Sequence, residues 1–234
     1  MEQLKNYFKD KAVWKVLDVG TGPGHFIKVL NNVFPKALIT GVDPDETSLE
    51  KAALEYPGVI FQNMSGEKLD FNDNSFDVAG ISMALHHLSD IQSTLHEMKR
   101  VVRPGGWIVI VELFRDGQNP AQEVHKRMHH FGSRIDRMTG ITHNEAFTRK
   151  EIVAQIEKSG LQIELKFEFK NSGRVPLKKE IEGRKAKLWE AVKRIENRAE
   201  YDEMVSEIPA IETALEKYGF EMATRLVCVA SVSK

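Results

Sequence analysis

The chain has 234 residues, 41% of them hydrophobic and 29% charged, and its 33 Lys and Arg against 34 Asp and Glu leave a formal net charge of −1. That length suits one α/β domain with a well-buried core. So even a charge balance lacks the basic excess with which nucleic-acid binders meet phosphate, and no apolar stretch approaches the roughly 20 residues that span a bilayer, so neither a nucleic-acid partner nor a membrane partner is expected.

From about Val13 to Val111 short apolar runs alternate with amphipathic helical patterns. The strand candidates are Val13–Val19, Ala37–Val42, Val59–Gln62, Phe76–Ser82 and Trp107–Leu113, each rich in β-branched or aromatic residues. Between them, Phe26, Ile27, Val29, Leu30 and Val33 share one helical face, as do Leu95, Met98, Val101 and Val102. Arg103-Pro104-Gly105-Gly106 turns the chain from helix into strand. This order implies a mostly parallel sheet with helices on both faces, a Rossmann-like core over about 13–113.

After Leu113 the alternation breaks. Residues 114–148 read as a loop and a helix with Pro120 near its start, and Thr148 caps the next helix with Glu151 as capping-box partner. A strand follows at Leu161–Phe169, then a charged insert over about 174–219, in which Ile181, Leu188, Val192, Ile195 and Ala199 form one stripe, then a last strand at Ala223–Val232. The two inserts are expected to form a lid or a homodimer contact within a single domain, 1–234. Trp14 and Trp107 read as core. The single cysteine, Cys228, lies in an apolar run, which fits a reducing, cytoplasmic setting with no disulfide.

The first strand runs into Asp18-Val19-Gly20-Thr21-Gly22-Pro23-Gly24. Gly20 permits a tight turn, Gly22 removes a side chain where a ligand must approach backbone, and Gly24 lets helix and strand pack closely. N–H groups at the start of the following helix favour an anionic group. His25 stands where a nicotinamide-dinucleotide fingerprint wants its last glycine, and no phosphate-binding P-loop is present. The second strand ends in Asp43, whose carboxylate suits the two hydroxyls of a ribose; Asp45 suits the N-cap of the helix that follows.

Four stretches together resemble the class I S-adenosylmethionine-dependent methyltransferases, in particular the type-11 group that includes quinone-biosynthesis enzymes. They are Val16–Gly24, Gly41–Asp45, Ser65–Phe71 with Ser75–Val78, and Met83–Asp90 through Arg103–Gly106. The resemblance implies a seven-stranded sheet whose last strand is antiparallel, with S-adenosyl-L-methionine as cofactor. Gly20, Thr21, Gly22 and Gly24, with Asp18 behind them, would hold the methionine portion. Asp43 would hold the ribose and Pro44 would lie against adenine. Ser65, Gly66 and Glu67 would lie at the adenine edge. Ser82 and Met83 would face the methionine carbons and the sulfonium. Many relatives carry aspartate or asparagine at Ser65 and proline at Asp70; a serine hydroxyl still accepts from the adenine amine.

Methyl transfer from a sulfonium is an in-line displacement, and a base is needed only when the acceptor arrives protonated. His86 and His87 follow the fourth strand at the rim, His87 being the preferred candidate base, against a reading of Leu85–Leu88 as a packed turn. Glu112, at the end of the fifth strand, either binds substrate or pairs with a lid residue. His125 and His129 stand four apart, a metal-ligand spacing that Glu112 could join, but no HExxH signature accompanies them and no metal is expected. That segment reads instead as a substrate pocket walled by Met128, Phe131 and Met138.

The leading expectation is therefore a methyltransferase for a small-molecule acceptor. Two alternatives stay open. Protein or RNA methylation would use a basic groove, and residues 174–198 carry nine Lys or Arg against four Glu, although acidic residues dominate 200–221 and a self-paired helix hairpin accounts for the pattern equally well. A scaffold that binds the cofactor without turnover would keep the same fold.

Overall fold

The apolar runs of the first half become a sheet whose strands end together on one edge. The computed structural model describes residues 1–170 and 177–233, so the first residues of the expected insert, 174–176, lie outside the described residues. The elements are α1 (Glu2–Phe8), β1 (Lys15–Val19), α2 (Ile27–Val33), β2 (Leu38–Asp43), α3 (Glu46–Glu55), β3 (Ile60–Asn63), β4 (Phe76–Ser82), α4 (Ile91–Val101), β5 (Val102–Leu113), α5 (Pro120–Met138), α6 (Arg149–Lys158), β6 (Gln162–Phe169), α7 (Lys178–Lys193), α8 (Tyr201–Tyr218) and β7 (Arg225–Ser231), with a single 3-10 turn at Leu85–His87 after β4.

The seven strands pair in the order β3-β2-β1-β4-β5-β7-β6. All the pairs of the first half are parallel, while β7 runs antiparallel to β5 and β6. This is the Rossmann-like, mostly parallel seven-stranded sheet that the sequence implies. In the register, Val19 faces Val42 on one side and Ile81 on the other, and Ser82 faces Val111. The loops after β1, β2, β4 and β5 therefore open onto the same edge, where ligands of open α/β sheets bind.

Both faces of the sheet are covered. One carries Leu17, Val19, Ile81, Ile108 and Ile110 against Leu95, Met98 and Val101 of α4 and Ile152 and Ile156 of α6. The other carries Val16, Val78, Val109 and Val229 against Leu4 and Phe8 of α1 and Ile27, Leu30 and Val33 of α2. At ~2 kcal/mol per fully buried aliphatic side chain, these two layers supply the main gross driving force for folding. Cys228 is completely buried between β5 and β6, and burial pushes its thiol up to about 12, so it is an inert core residue.

The caps are where local chemistry asks for them. Asp45 accepts from Thr47 N, and full capping boxes form at Asn119/Gln122, with Pro120 in the first turn, and at Thr148/Glu151. Three expectations need correction. Trp14 is 61% exposed because it precedes the strand on its solvent side; Trp107, expected in the core, is half-buried, with its ring edge against Phe8. β5 begins at Val102, and Arg103–Gly106 forms an irregularity within its pairing to β4 rather than a turn before it. Gly106 is required there, since a Cβ would lie 2.5 Å from the Asp77 carbonyl oxygen.

The inserts form a three-helix layer. Phe131 and Ile135 of α5, Leu188 and Val192 of α7, Ile195, and Met204, Ile208 and Ile211 of α8 share one apolar cluster, with Met128 and Met138 against it. The residues expected to wall a substrate pocket thus pack into this layer, because α7 and α8 cover the same face of α5. Among the described residues, no helix is long and apolar enough to cross a membrane.

Candidate active site

The chain leaves β1 through three glycines in the left-handed region, Gly20, Gly22 and Gly24, at φ 67°, 50° and 88°. The turn is held to β2 by Gly20 N and Thr21 N, which donate to the Val42 carbonyl at 2.9 and 3.0 Å. A Cβ on Gly20 would sit 2.8 Å from the Ala84 Cβ, whereas a Cβ on Gly22 would meet nothing within 4 Å. Gly22 is the point where the backbone lies open to an approaching ligand. Gly24 packs against Tyr56 and Ala52 around the end of α3, rather than against its own strand. α2 begins only at Ile27, so the glycine loop is a structure of its own and not the first turn of the helix.

Asp18 and Asp43 flank the loop from behind and beside. Asp18 is fully buried; its Oδ2 accepts from Thr21 Oγ1 at 2.6 Å, and its Oδ1 has no hydrogen-bond partner. Burial, opposed by the Thr21 hydroxyl and reinforced by the Asp43 charge, pushes the Asp18 carboxyl up to about 7. Asp43 is half-buried and accepts from Gly22 N at 2.8 Å and from Asp45 N at 2.9 Å. Each of its oxygens keeps a lone pair for a hydroxyl donor. Pro44 next to it is exposed.

The loop after β3 closes the side of the cleft. Ser65 is exposed and its hydroxyl accepts from Glu67 N, while Gly66 is wedged so tightly that a Cβ would lie 2.7 Å from Val19. Glu67 turns toward the loop after β4, accepting from Ser89 Oγ and Asp90 N. Two contributors went unnoticed in the sequence. Asn63 donates to the Pro44 carbonyl, and Arg100 clamps the carbonyls of Leu69 and Phe71 while pairing with Glu97. Their signal, a donor at a strand end and an arginine on a helix face, is too common to read alone.

Ser82 and Met83 end β4, half-buried beside the glycine loop. Met83 has φ 56°, held by its N–H donating to Val111 O at 2.8 Å. A non-glycine residue in this region stores strain, a common mark of functional turns. His87 is exposed at the rim, its ring 4.2 Å from that of His143 and 4.3 Å from that of His86.

Glu112 is fully buried and turned inward. It accepts from His86 Nδ1 at 2.9 Å, Leu85 N at 3.0 Å and Leu113 N at 2.8 Å. Its partner is therefore the turn after β4 and not a lid residue. His125 is set apart from the other histidines by Ala223 N, which donates to its Nδ1, and by Phe220 against its ring. Burial and the neighbouring imidazoles His86 and His143 pull His129 down to about 2.

Residues 17–110 match a family model described as a methyltransferase domain. The chain is similar to a ubiquinone/menaquinone biosynthesis C-methyltransferase of Desulfotalea psychrophila, 31% identical over 47% of this chain and 46% of that protein. It is also similar to a demethylmenaquinone methyltransferase of Chlorobaculum tepidum, 34% identical over 42% of this chain and 40% of that protein. The chain spans about half the length of these curated relatives. An S-adenosylmethionine-dependent methyltransferase of Methanosarcina mazei superimposes with a TM-score of 0.59 at 17% identity, over 94% of this chain and 92% of that one. The stretch that carries the glycine loop, Asp43 and the turn after β4 is the part that matches the methyltransferase-domain model, and the chain as a whole shares the fold of the Methanosarcina mazei structure.

Proposed function

We propose that the chain binds S-adenosylmethionine in the glycine-loop cleft and methylates a small molecule. The observation that carries this reading is the pairing of an open backbone at Gly22 with two carboxylates, one of them holding an unpartnered buried oxygen. A ligand with an ammonium group and a ribose can donate to those carboxylate oxygens; an anionic pyrophosphate would meet the charge of Asp43 instead. When bound, the cofactor supplies an electrophilic methyl group on a positively charged sulfur. The residues of the chain then have to bind and orient. Asp43 holds the ribose, the loop 20–24 and Asp18 receive the amino-acid end, Pro44 and Ser65–Glu67 border the base, and Ser82 and Met83 fix the reacting end.

The names of the relatives point to a quinone-like ring as acceptor, approaching over the rim at His87. A phenolic acceptor needs its proton removed, and His87 is the exposed base at that rim. Glu112 is not placed to touch an acceptor; it acts by holding His86 and Leu85. Methylation of a polymer is less well supported. Lys185 and Arg194 of the basic stretch are already paired, with Glu182, Glu216 and Asp136.

Calorimetric titration with S-adenosylmethionine, S-adenosylhomocysteine and NAD tests the reading. Binding of the first two at micromolar affinity is expected, with none for NAD. Asp43→Ala, which removes two charge-assisted hydrogen bonds, should weaken binding on the order of 100-fold. Binding of NAD alone would overturn the proposal. Tight binding of the cofactor without turnover across phenolic and quinol acceptors would instead favour a non-catalytic scaffold.

A further inference from the structure

Six of the eight histidines lie at positions 86, 87, 125, 129, 130 and 143, and the fold draws three of them together. His86 comes from the turn after β4, His129 from the middle of α5, and His143 from the segment that joins α5 to α6. One nitrogen from each lies within 4.8 Å of the others. The Nε2 atoms of His129 and His143 are 3.2 Å apart, close to the edge of a tetrahedron of nitrogens around a small divalent ion.

The tautomers follow from the partners. A carboxylate accepts only, so His86 Nδ1 must donate to Glu112 at 2.9 Å and His143 Nδ1 must donate to Asp136 at 2.6 Å. In the neutral ring each Nε2 is then left with a lone pair. The one on His143 is aimed at the Nε2 of His129, whose own Nδ1 has no hydrogen-bond partner; the pair is held by a proton on His129 Nε2 or, with that ring in its Nδ1–H form, by a cation between the two nitrogens. Glu112 is held in turn by two backbone N–H groups, and Asp136 by Arg194 Nη1 at 2.6 Å. Imidazoles oriented by carboxylates that are themselves anchored are the usual support of a metal centre. Burial of His86 at 3% exposure and half-burial of the other two limit competition from water.

We propose that the Nε2 atoms of His86, His129 and His143 bind one divalent transition-metal ion of the zinc class. Among the described residues no fourth side-chain ligand joins the three imidazoles, which leaves at least one position for water or an acceptor oxygen. The centre lies at the same sheet edge as Met83, and it ties α5 to the turn after β4. The spacing of His125 and His129 along α5 points to a different ligand pair from the one that the fold assembles, since His125 is occupied by Ala223 N. The inference is independent of what the glycine loop binds.

The test uses the full chain, stripped with a chelator and titrated with Zn²⁺ and with Co²⁺. One equivalent of each should bind, Co²⁺ should give the visible absorption of a low-symmetry, nitrogen-ligated site, and Zn²⁺ should raise the melting temperature. His129→Ala and His143→Ala should abolish stoichiometric binding, and Asp136→Asn should weaken it about 10- to 100-fold. His96→Ala, a control on the exposed side of α4, should bind as the parent does. Circular dichroism of the stripped variants separates loss of the site from loss of fold, and the near-isosteric Asp136→Asn keeps the question answerable if an alanine variant fails to fold. Absence of stoichiometric binding by the parent chain would overturn the proposal. Equal binding by the parent, His143→Ala and Asp136→Asn would overturn it as well.

Discussion

The two ends of the cleft are built in opposite ways. At the glycine-loop end the parts are local: Gly20, Gly22 and Gly24 are consecutive alternate residues, Asp18 precedes them, and Asp43 closes the next strand. Backbone conformation does most of the work there. At the histidine end the parts are remote: Glu112 reaches back 26 residues to His86, and His143 is bound to Asp136 and His129 across a helix end. Side-chain packing among elements does the work there. A site made of backbone tolerates almost no added atoms, whereas a site made of side chains depends on the helices that deliver them.

Substitutions can break that contrast at its strongest point first. Gly20→Ala adds a Cβ at φ 67° that lies 2.8 Å from Ala84, so left-handed strain and overpacking should together cost about 2–4 kcal/mol in chemical denaturation. A loss below about 1 kcal/mol, or the gain of about 0.4–1 kcal/mol that a compatible glycine-to-alanine change gives, would mean that the loop is softer than its backbone suggests.

Asp18 sharpens the contrast by pH. Burial pushes its folded-state carboxyl up to about 7 from the ordinary 3.8, so the native state holds the proton more tightly than the unfolded chain. The stability it contributes is complete below about pH 4 and is lost as pH rises through 7, because the unfolded state binds fewer protons over that window. Asp18→Asn keeps an acceptor for Thr21 and removes the titration. Its stability relative to the parent should therefore rise between pH 5 and pH 8, by about 1 kcal/mol or more at 1.36 kcal/mol per pKa unit. A pH-independent difference would contradict the assignment. Cofactor binding should also strengthen as pH rises through 7, as a cationic amine finds the carboxylate ionised.

The smallest effect belongs to the helical layer formed by the inserts. Lys185 on α7 pairs with Glu216 on α8, but Glu216 is largely exposed, and such pairs contribute under about 1 kcal/mol. Lys185→Ala should hardly move the melting temperature, since Leu188, Val192, Ile208 and Ile211 hold the two helices together. A drop of several degrees would mean that this layer is under electrostatic rather than apolar control.

The same contrast decides what the sequence reveals. Strands such as Phe76–Ser82 and the last strand around Cys228 carry their burial pattern in their own residues, and they fall where the apolar runs place them. Asp43 and the glycines are legible because strand-end and turn chemistry is local. Glu112 is legible as a strand-end carboxylate but not in its role, because its orientation is set by His86 and Leu85 from the turn after β4. His143 follows a helix without any periodic signal. Only the crowding of histidines into two windows hints at it. Trp14 is misread for the opposite reason: it has the composition of a strand residue, but it stands at the sheet's rim.

One feature of the sheet also bears on how the molecule assembles during synthesis. β6 has a single sheet neighbour, β7, and β7 lies between β6 and β5, with Trp107 opposite Ser231. The ribosome releases β5 and β6 long before β7, so both must wait without that partner while α7 and α8 are made. Pairings that distant in sequence form slowly. The parallel half that holds the glycine loop has no such dependence, and it can be ordered while the far side of the sheet is still an open template. That interval is when chaperones, or mispairing with another nascent chain, would act on the protein.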